Sequence, residues 1–567
     1  MLTRAVSHKK LVHLVLGGLV LLSLVFCMGR AHYFLSSLPR FYLFCSDARW
    51  WWIYQSQLDN EDVFAGNVYF EAKKKTRFIT DSILQKAIVQ LSHTLSLPRI
   101  ILNRYMSTAV YLTTFILLYI LGLSVMHEPK WALFFCLVLA QSTYARWLRY
   151  DVFVPKMLGF MMYPILLFAV VKITEGRKGP LLFALLSIGA FWLYPGSIVY
   201  CAPVLVPVGL LGLIMRRGEE DDYWRPIGEY VVGIGVLASM MVLMKYLRGE
   251  QNPPPLYITE YYYKNHLFVF PKRFLLYART YGDYFLLSSV SLGCLLRWGS
   301  EQIRRRALVL YAIFLGCLLG GIITHMLGVQ VPEIRMLWVW RLAYYTYVPA
   351  LLLIVMAVQQ TASRLSAQTK LSKVMIWLLI VILPGWIIYR SPELNNNIRG
   401  AIKIYGDIVN GVIVDRYEQR VSGLARFARV TDENSLFLLP HRRFQDRYTD
   451  MFESECCRGC LLSRNERYLM VVEDELSEPY FRLLKAYDAI DDLKEEEEFG
   501  TQLIQFAEEV GASYVILSKE HRFRLALPCA YEDAFWLVYP VGKVAEIGRA
   551  IALYSPKSHQ PRFLVKS

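Results

Sequence analysis

The dominant pattern in this chain is a series of long apolar runs, separated by short polar stretches, between Leu11 and Ile388. A helix needs roughly 20 mostly apolar residues to cross a hydrocarbon layer about 30 Å thick. The runs reach or approach that length, so the pattern predicts a polytopic α-helical membrane protein. We place about eleven transmembrane helices, near residues 11–28, 106–126, 131–145, 156–172, 180–194, 197–215, 227–246, 284–297, 307–328, 342–359 and 374–389.

The pattern changes after Pro392, where the mean hydropathy falls. Residues 435–440 (SLFLLP) are typical of a buried strand, and residues 512–518 (ASYVILS) predict another. Between them, residues 496–511 have helical periodicity and end at a glycine. This order predicts a small C-terminal α/β domain. The predicted domains are a transmembrane domain over 1–390, with a first outer loop at 29–105, and an extracytoplasmic α/β domain over 391–567.

Composition and charge agree with a membrane protein and set its orientation. Hydrophobic residues make up 55% of the chain and charged residues only 19%, against about 25% charged residues in soluble domains. The net charge of +15 does not indicate nucleic acid, because much of the basic charge lies in alternate short loops, as the positive-inside rule requires. We therefore expect a cytoplasmic N-terminus and a periplasmic or otherwise extracytoplasmic C-terminal domain. The basic residues that define the inner loops are Lys130, Lys172, Arg177, Lys178, Arg216, Arg217, Arg225, Arg297, Arg304, Arg305, Arg306, Arg364, Lys370 and Lys373.

The outer segments are rich in aromatic residues and include one amphipathic stretch. Residues 76–103 have helical spacing of apolar and polar residues, which predicts a helix lying on the membrane surface above a cavity open to lipid. The aromatic residues fit an interfacial belt or, alternatively, a surface that stacks sugars or lines a lipid groove. They are Trp50, Trp51, Trp52, Tyr261, Tyr262, Tyr263, Trp338, Trp340, Tyr344 and Tyr345.

The cysteines of the C-terminal region form one cluster, ECCRGC, which contains Cys456, Cys457 and Cys460. No second cysteine pair or histidine pair completes a four-ligand zinc site. On the non-cytoplasmic side a disulfide is the better interpretation. Cys529 and Cys45 are further candidate partners, and spacing alone leaves the connectivity open.

Two short stretches carry a family resemblance. The run DARWWWIYQSQLDNEDVF, which begins at Asp47, resembles the start of the first outer loop in the GT-C superfamily of membrane glycosyltransferases, including protein O-mannosyltransferases and the aminoarabinose transferase of lipid A. Asp47 takes the acid position and Trp50 or Trp51 the aromatic position, whereas Ala48 stands where glutamate is common. The run from Tyr144 (YARWLRYDVFVPKMLGF) is similar to the loop before the fourth helix. Asp151 takes its acid position, with Arg149 beside it.

The resemblance implies a transferase that uses a polyprenyl-phosphate sugar presented from the bilayer. Asp47 would act as general base toward an acceptor on the outer side, and Asp151 would assist it, position the acceptor or pair with Arg149. Arginine suits the leaving phosphate because its guanidinium binds oxyanions in a bidentate fork. The candidates are Arg335 and Arg341, with Lys272, Arg273 and Arg279 in another predicted outer loop. A divalent metal between Asp47 and Asp151 is compatible with the pattern, which does not require a cofactor.

Other interpretations remain open at this point. Asp59, Glu61 and Asp62 are rival bases in the same loop. The chain could also be a non-catalytic member of the fold that serves as a scaffold or subunit in a surface-assembly complex with protein partners. A flippase for lipid-linked sugars is disfavoured, because the sequence has no clear internal repeat and few charges within the spans.

Overall fold

The computed structural model describes most of the helical core and most of the C-terminal sheet. The described ranges are 99–140, 155–176, 179–193, 195–216, 224–248, 272–330, 339–365, 416–432, 434–439, 458–462, 474–521 and 523–541, with isolated positions that include Tyr144, Tyr257, Ile258 and Cys456. The chain divides into two compact units. One contains the described helices between residues 81 and 412 apart from 247–267, and the other contains residues 247–267 and 413–567.

The first unit is helical, and within the described ranges it has nine α-helices, each overlapping one of the predicted spans. They are α1 (Arg99–Met126), α2 (Pro129–Ala140), α3 (Pro155–Ile173), α4 (Gly179–Leu193), α5 (Pro195–Ile214), α6 (Trp224–Arg248), α7 (Lys272–Trp298), α8 (Glu301–Gln330) and α9 (Tyr347–Leu365). Four described segments are long and apolar enough to cross a membrane: Ala109–Met126, Trp224–Leu243, Glu301–Leu327 and Leu342–Arg364. The chain is therefore an integral membrane protein by length and composition, while the remaining described apolar helices are shorter.

The structure differs from the sequence prediction at three helix boundaries. Residues 272–283 are predicted as an outer loop but form the first turns of α7, because Tyr281 and Tyr284 supply buried positions at helical spacing. Residues 99–103 belong to α1, and the predicted surface helix is interrupted before it, where Ser96 has a φ of 51° and Pro98 follows. A 3-10 helix (Val339–Thr346) replaces the start of the span predicted at 342–359.

Burial ranks the helices from centre to periphery. Helix α9 lies at the centre, because every residue from Val348 to Met356 is buried. Helix α6 is peripheral: Val231, Val232 and Val242 are among its exposed apolar residues. Exposed apolar side chains on a membrane helix are expected to face lipid.

The second unit contains a five-stranded sheet in the order β2-β1-β3-β5-β4. The strands are β1 (Leu436–Leu438), β2 (Gly459–Leu461), β3 (Tyr514–Ser518), β4 (Tyr531–Glu532) and β5 (Trp536–Pro540). Strands β2, β1 and β3 are parallel, whereas β5 and β4 are antiparallel to their neighbours. The described helices of this unit are α10 (Arg416–Val430), α11 (Asp474–Asp491) and α12 (Glu496–Glu509).

Alternation along the strands produces two cores, one on each face of the sheet. Val515 and Leu517 of β3 pack in the core that contains residues of α11 and α12. Ile516 packs on the opposite face with Leu424 of α10. Side chains alternate between faces with a period of two, so one apolar strand can fill both layers. The chain leaves α12 through Gly511, whose φ of 73° suits glycine at a helix C-terminus.

Residues 257 and 258, from the connection between α6 and α7, are part of this second unit. Ile258 is fully buried in the core beside α11 and α12. The Tyr257 hydroxyl donates a hydrogen bond to the Glu478 carboxylate, and its ring lies 5.3 Å from that of Phe481. Two residues of the predicted outer connection, Tyr257 and Ile258, thus pack with the C-terminal region.

Candidate functional site

Most residues of the predicted site lie outside the described residues. These are Asp47, Trp50, Trp51, Arg149, Asp151 and Arg335. Arg341 lies in the 3-10 helix Val339–Thr346, and the structure describes only its backbone. The candidate site is therefore built from the described residues that border the predicted ones.

Tyr144 and Phe160 join the two ends of the segment that carries Arg149 and Asp151. The buried Tyr144 hydroxyl donates a hydrogen bond of 2.9 Å to the Phe160 carbonyl oxygen. The two rings pack edge to face with centroids 5.6 Å apart. Tyr144, which precedes residues 145–154 in sequence, and Phe160, which follows them, are thus neighbours in the helical core.

Pro164 explains why the Phe160 carbonyl is available for this bond. In an α-helix each N–H donates to the carbonyl four residues earlier, and Pro164 of α3 has no N–H to give to Phe160. A buried carbonyl without a donor is costly. The Tyr144 hydroxyl supplies the missing donor, so a residue before the segment is fixed to the helix after it.

The 3-10 helix packs against the same place. The Tyr345 ring stacks on Phe160 at 5.1 Å and tilts against Tyr163 at 4.6 Å. We call Tyr144, Phe160, Tyr163 and Tyr345 the aromatic cluster; all four are buried. The cluster connects the border of the Asp151 segment to a helix that carries Arg341 four residues before Tyr345.

The burial of the 3-10 helix distinguishes one of its faces. Positions three apart share a face in a 3-10 helix. Leu342, Ala343, Tyr345 and Thr346 are buried, whereas Tyr344 is half-buried. Tyr344 thus marks the less covered side of the described positions 342–346. Tyr345, which the sequence assigns to an interfacial belt or a sugar-stacking surface, is a core residue instead.

A network of charged and polar side chains lies at the C-terminal end of α3. Arg306 is almost fully buried, and its Nη2 lies 2.7 Å from Glu175 Oε1. Its Nη1 donates to the Val125 carbonyl at 2.9 Å and lies 2.8 Å from His127 Nε2. Lys172 Nζ lies 2.5 Å from the other Glu175 oxygen. We call Arg306, Glu175, Lys172 and His127 the arginine network.

The surroundings of His127 disfavour protonation of its ring. Burial lowers the pKa of His127, and the adjacent Arg306 guanidinium lowers it further. A neutral ring can accept a hydrogen bond from Arg306 at Nε2, whereas a protonated ring cannot. His127 also has a φ of 59°, in the left-handed region where few residues other than glycine lie.

The arginine network connects helix ends that are predicted to face the cytoplasm. It joins the ends of α1 and α3 to the start of α8, and Gln359 of α9 donates to the Met126 carbonyl and to Glu128, both at 3.0 Å. Lys172 lies about 18 Å along α3 from Phe160, at 1.5 Å per residue. The aromatic cluster and the arginine network therefore mark opposite ends of that helix.

Sequence reasoning missed both groups. Pro164 inside an apolar run was the available signal for the Tyr144 contact, and Glu175 was the available signal for Arg306, since it is the acid in a basic loop. Arg306, counted among loop charges, is a core residue. Within the described ranges no group of three or more His, Cys, Asp or Glu could hold a metal ion; the metal considered between Asp47 and Asp151 falls outside those ranges.

Comparison with known proteins gives structural similarity alone. No protein-family model and no curated protein matches the chain. It is similar to three cryo-EM structures of the arabinofuranosyltransferase AftD from mycobacteria, one of the protein itself and two of a substituted form. The sequence identity is 12% in each case, and the TM-scores are 0.45, 0.44 and 0.46. The matches cover 81% of this chain but only 35–36% of those proteins.

Proposed function

We propose that this chain is a GT-C type membrane glycosyltransferase that transfers a sugar from a polyprenyl-phosphate donor to an acceptor on the non-cytoplasmic side. Asp47 is the general base that takes the proton of the acceptor hydroxyl or amine as its oxygen or nitrogen bonds to the sugar. The polyprenyl phosphate leaves with the electrons of the broken glycosidic bond. Trp50 and Trp51 border the sugar.

The aromatic cluster is the observation that supports this proposal best. Tyr144 and Phe160 border the segment with Arg149 and Asp151, and Tyr345 follows Arg341 on the 3-10 helix. Residues that are sequence neighbours of two stretches nearly 200 residues apart, each singled out for transferase chemistry, thus belong to one packed group of rings. That arrangement is expected of a site assembled from separate outer segments.

The proposed roles follow from the charges involved. The leaving phosphate carries negative charge, and arginine stabilises it with parallel N–H donors. Arg341, in the 3-10 helix that carries Tyr345, is the first candidate and Arg335 the second. Asp151 holds the acceptor or orients Arg149. A carboxylate that acts as base typically contributes a factor of about 10² to 10⁴ to the rate.

The test is sugar transfer by the purified full-length protein in liposomes that contain radiolabelled polyprenyl-phosphate sugars and an outer-side acceptor extract. We expect Asp47→Asn to lower the rate by about 10²-fold or more, and Arg341→Ala to abolish transfer at unchanged protein abundance. Asp59→Asn is the matched carboxylate control. Arg364→Ala is the matched arginine control, because its guanidinium donates to the Trp298 carbonyl at 3.1 Å, at the end of α7 that is predicted to be cytoplasmic.

Two outcomes contradict the proposal. If Asp47→Asn and Arg341→Ala both retain full transfer, the assigned residues are not the site. If the wild-type chain transfers no sugar but its deletion disrupts surface assembly, and Asp47→Asn leaves that phenotype unchanged, the chain is the non-catalytic scaffold considered above.

A further inference from the structure

Two cysteine thiols meet inside the second unit. Cys456 and Cys460 are both fully buried, and their Sγ atoms lie 3.7 Å apart. Both thiols also contact the Arg458 carbonyl oxygen, at 3.6 Å from Cys456 and 3.5 Å from Cys460. The two sulfur atoms are thus in van der Waals contact within one short turn.

The sheet order excludes Cys529 as a partner for Cys460. Cys460 lies on β2 at one edge of the sheet, and Cys529 lies two residues before β4 at the other edge. Four strand steps of about 4.8 Å separate the edges by roughly 19 Å, whereas a disulfide needs Cα atoms within about 7 Å. The Cys529 thiol contacts the carbonyl oxygens of Tyr531 and Val538 instead.

Arg458, which lies between the two cysteines in sequence, hydrogen-bonds to the end of helix α10. Arg458 Nη2 donates to the carbonyl oxygens of Arg429 and Thr431, at 2.8 Å and 2.7 Å. A guanidinium at this position donates hydrogen bonds to the terminal carbonyl groups of the helix. Its positive charge also interacts favourably with the C-terminal end of the helix dipole. The thiols themselves lie in the core that α10 forms with the sheet.

We propose that Cys456 and Cys460 form a disulfide in the mature protein. The two thiols give up two protons and two electrons, and a protein disulfide of an oxidising compartment accepts them and becomes a dithiol. Because both cysteines end buried, the exchange takes place while the unit folds. The bond fixes the turn around Arg458, and it requires the second unit to lie on the non-cytoplasmic side. It does not depend on the proposed transfer reaction.

Trypsin provides a direct test, because it cleaves after Arg458, between the two cysteines. Native membranes with the full-length chain are denatured in N-ethylmaleimide, digested without reduction and analysed by mass spectrometry. We expect peptides 448–458 and 459–464 to appear linked, lighter by two hydrogen atoms than the separate peptides and separable by dithiothreitol. The link should persist in Cys457→Ser and Cys529→Ser and disappear in Cys456→Ser and Cys460→Ser.

Two results overturn the proposal. One is the detection of N-ethylmaleimide bound to both Cys456 and Cys460 in the unreduced wild-type protein. This measurement does not require any variant to fold. The other is a link that survives Cys456→Ser and is lost in Cys457→Ser, which would assign the bond to the neighbouring cysteine. Loss of transferase activity with an intact link leaves the disulfide standing, so the two proposals fail separately.

Discussion

Replacing Tyr144 by phenylalanine tests whether its hydroxyl compensates for Pro164. The substitution keeps the ring that packs on Phe160 and removes the donor to the Phe160 carbonyl. A buried acceptor left without a partner costs about 1–3 kcal/mol, which lowers the folding equilibrium constant by roughly 5- to 150-fold. The same substitution in a Pro164→Ala background should cost less, because an alanine N–H at position 164 can donate to Phe160.

The assay is a double-mutant cycle on the purified protein in detergent, with the free energy of unfolding measured by denaturant titration. We expect an interaction energy of about 1–2 kcal/mol between the two sites, since both act on one carbonyl oxygen. Tyr311→Phe is the control, because its hydroxyl lies 2.8 Å from the Ser289 hydroxyl, away from α3. Its cost should be the same in both backgrounds. Equal costs of Tyr144→Phe with and without Pro164 would refute the compensation.

The arginine network and helix α10 give two further predictions. The folded protein holds the pKa of His127 below its ordinary value of 6.5. As the pH falls, the unfolded chain therefore binds the proton before the folded chain does, which favours unfolding. The free energy of unfolding should fall as the pH drops from about 7.5 to about 5.5, and it should fall less in His127→Gln. If that variant shows the same pH dependence as the wild-type protein, His127 is not its source. Gly423→Ala would place its Cβ against the Tyr531 hydroxyl and should destabilise by about 1–3 kcal/mol. In a Tyr531→Phe background the hydroxyl is gone and Asp533 Oδ2, at 3.3 Å, is the closest remaining atom, so alanine should cost less there. A loss of equal size in both backgrounds would contradict this packing.

Hydropathy and periodicity predicted the nine described helices of the first unit well, because apolar length is a local property; the spans predicted at 11–28 and 374–389 lie outside the described ranges. The runs predicted at 156–172 and 180–194 became Pro155–Ile173 and Gly179–Leu193. Strand β3 and helix α12 lie where alternation and helical spacing placed them. Local patterns were sufficient wherever a segment's own residues determined its burial.

The features missed by the sequence analysis depend on partners that are distant in the chain. Arg306 has the same local context as the exposed Arg304 and the half-buried Arg305 beside it, and its contacts with Glu175 and Val125 make it a core residue. Tyr345 is indistinguishable by pattern from an interfacial tyrosine until Phe160 stacks on it. The proposed site at Asp47 and Asp151 remains a prediction for the same reason, since it depends on how separate outer segments meet.

The burial of Ile258 implies a delay in the assembly of this protein. The core that encloses it includes Leu484 and Leu517, which the ribosome adds more than 220 residues later. At about 5–20 residues per second, this isoleucine waits on the order of ten to fifty seconds for its neighbours. During that interval the nascent chain presents an unprotected apolar side chain, so chaperone binding to the connection after α6 is expected to end only when synthesis passes β3.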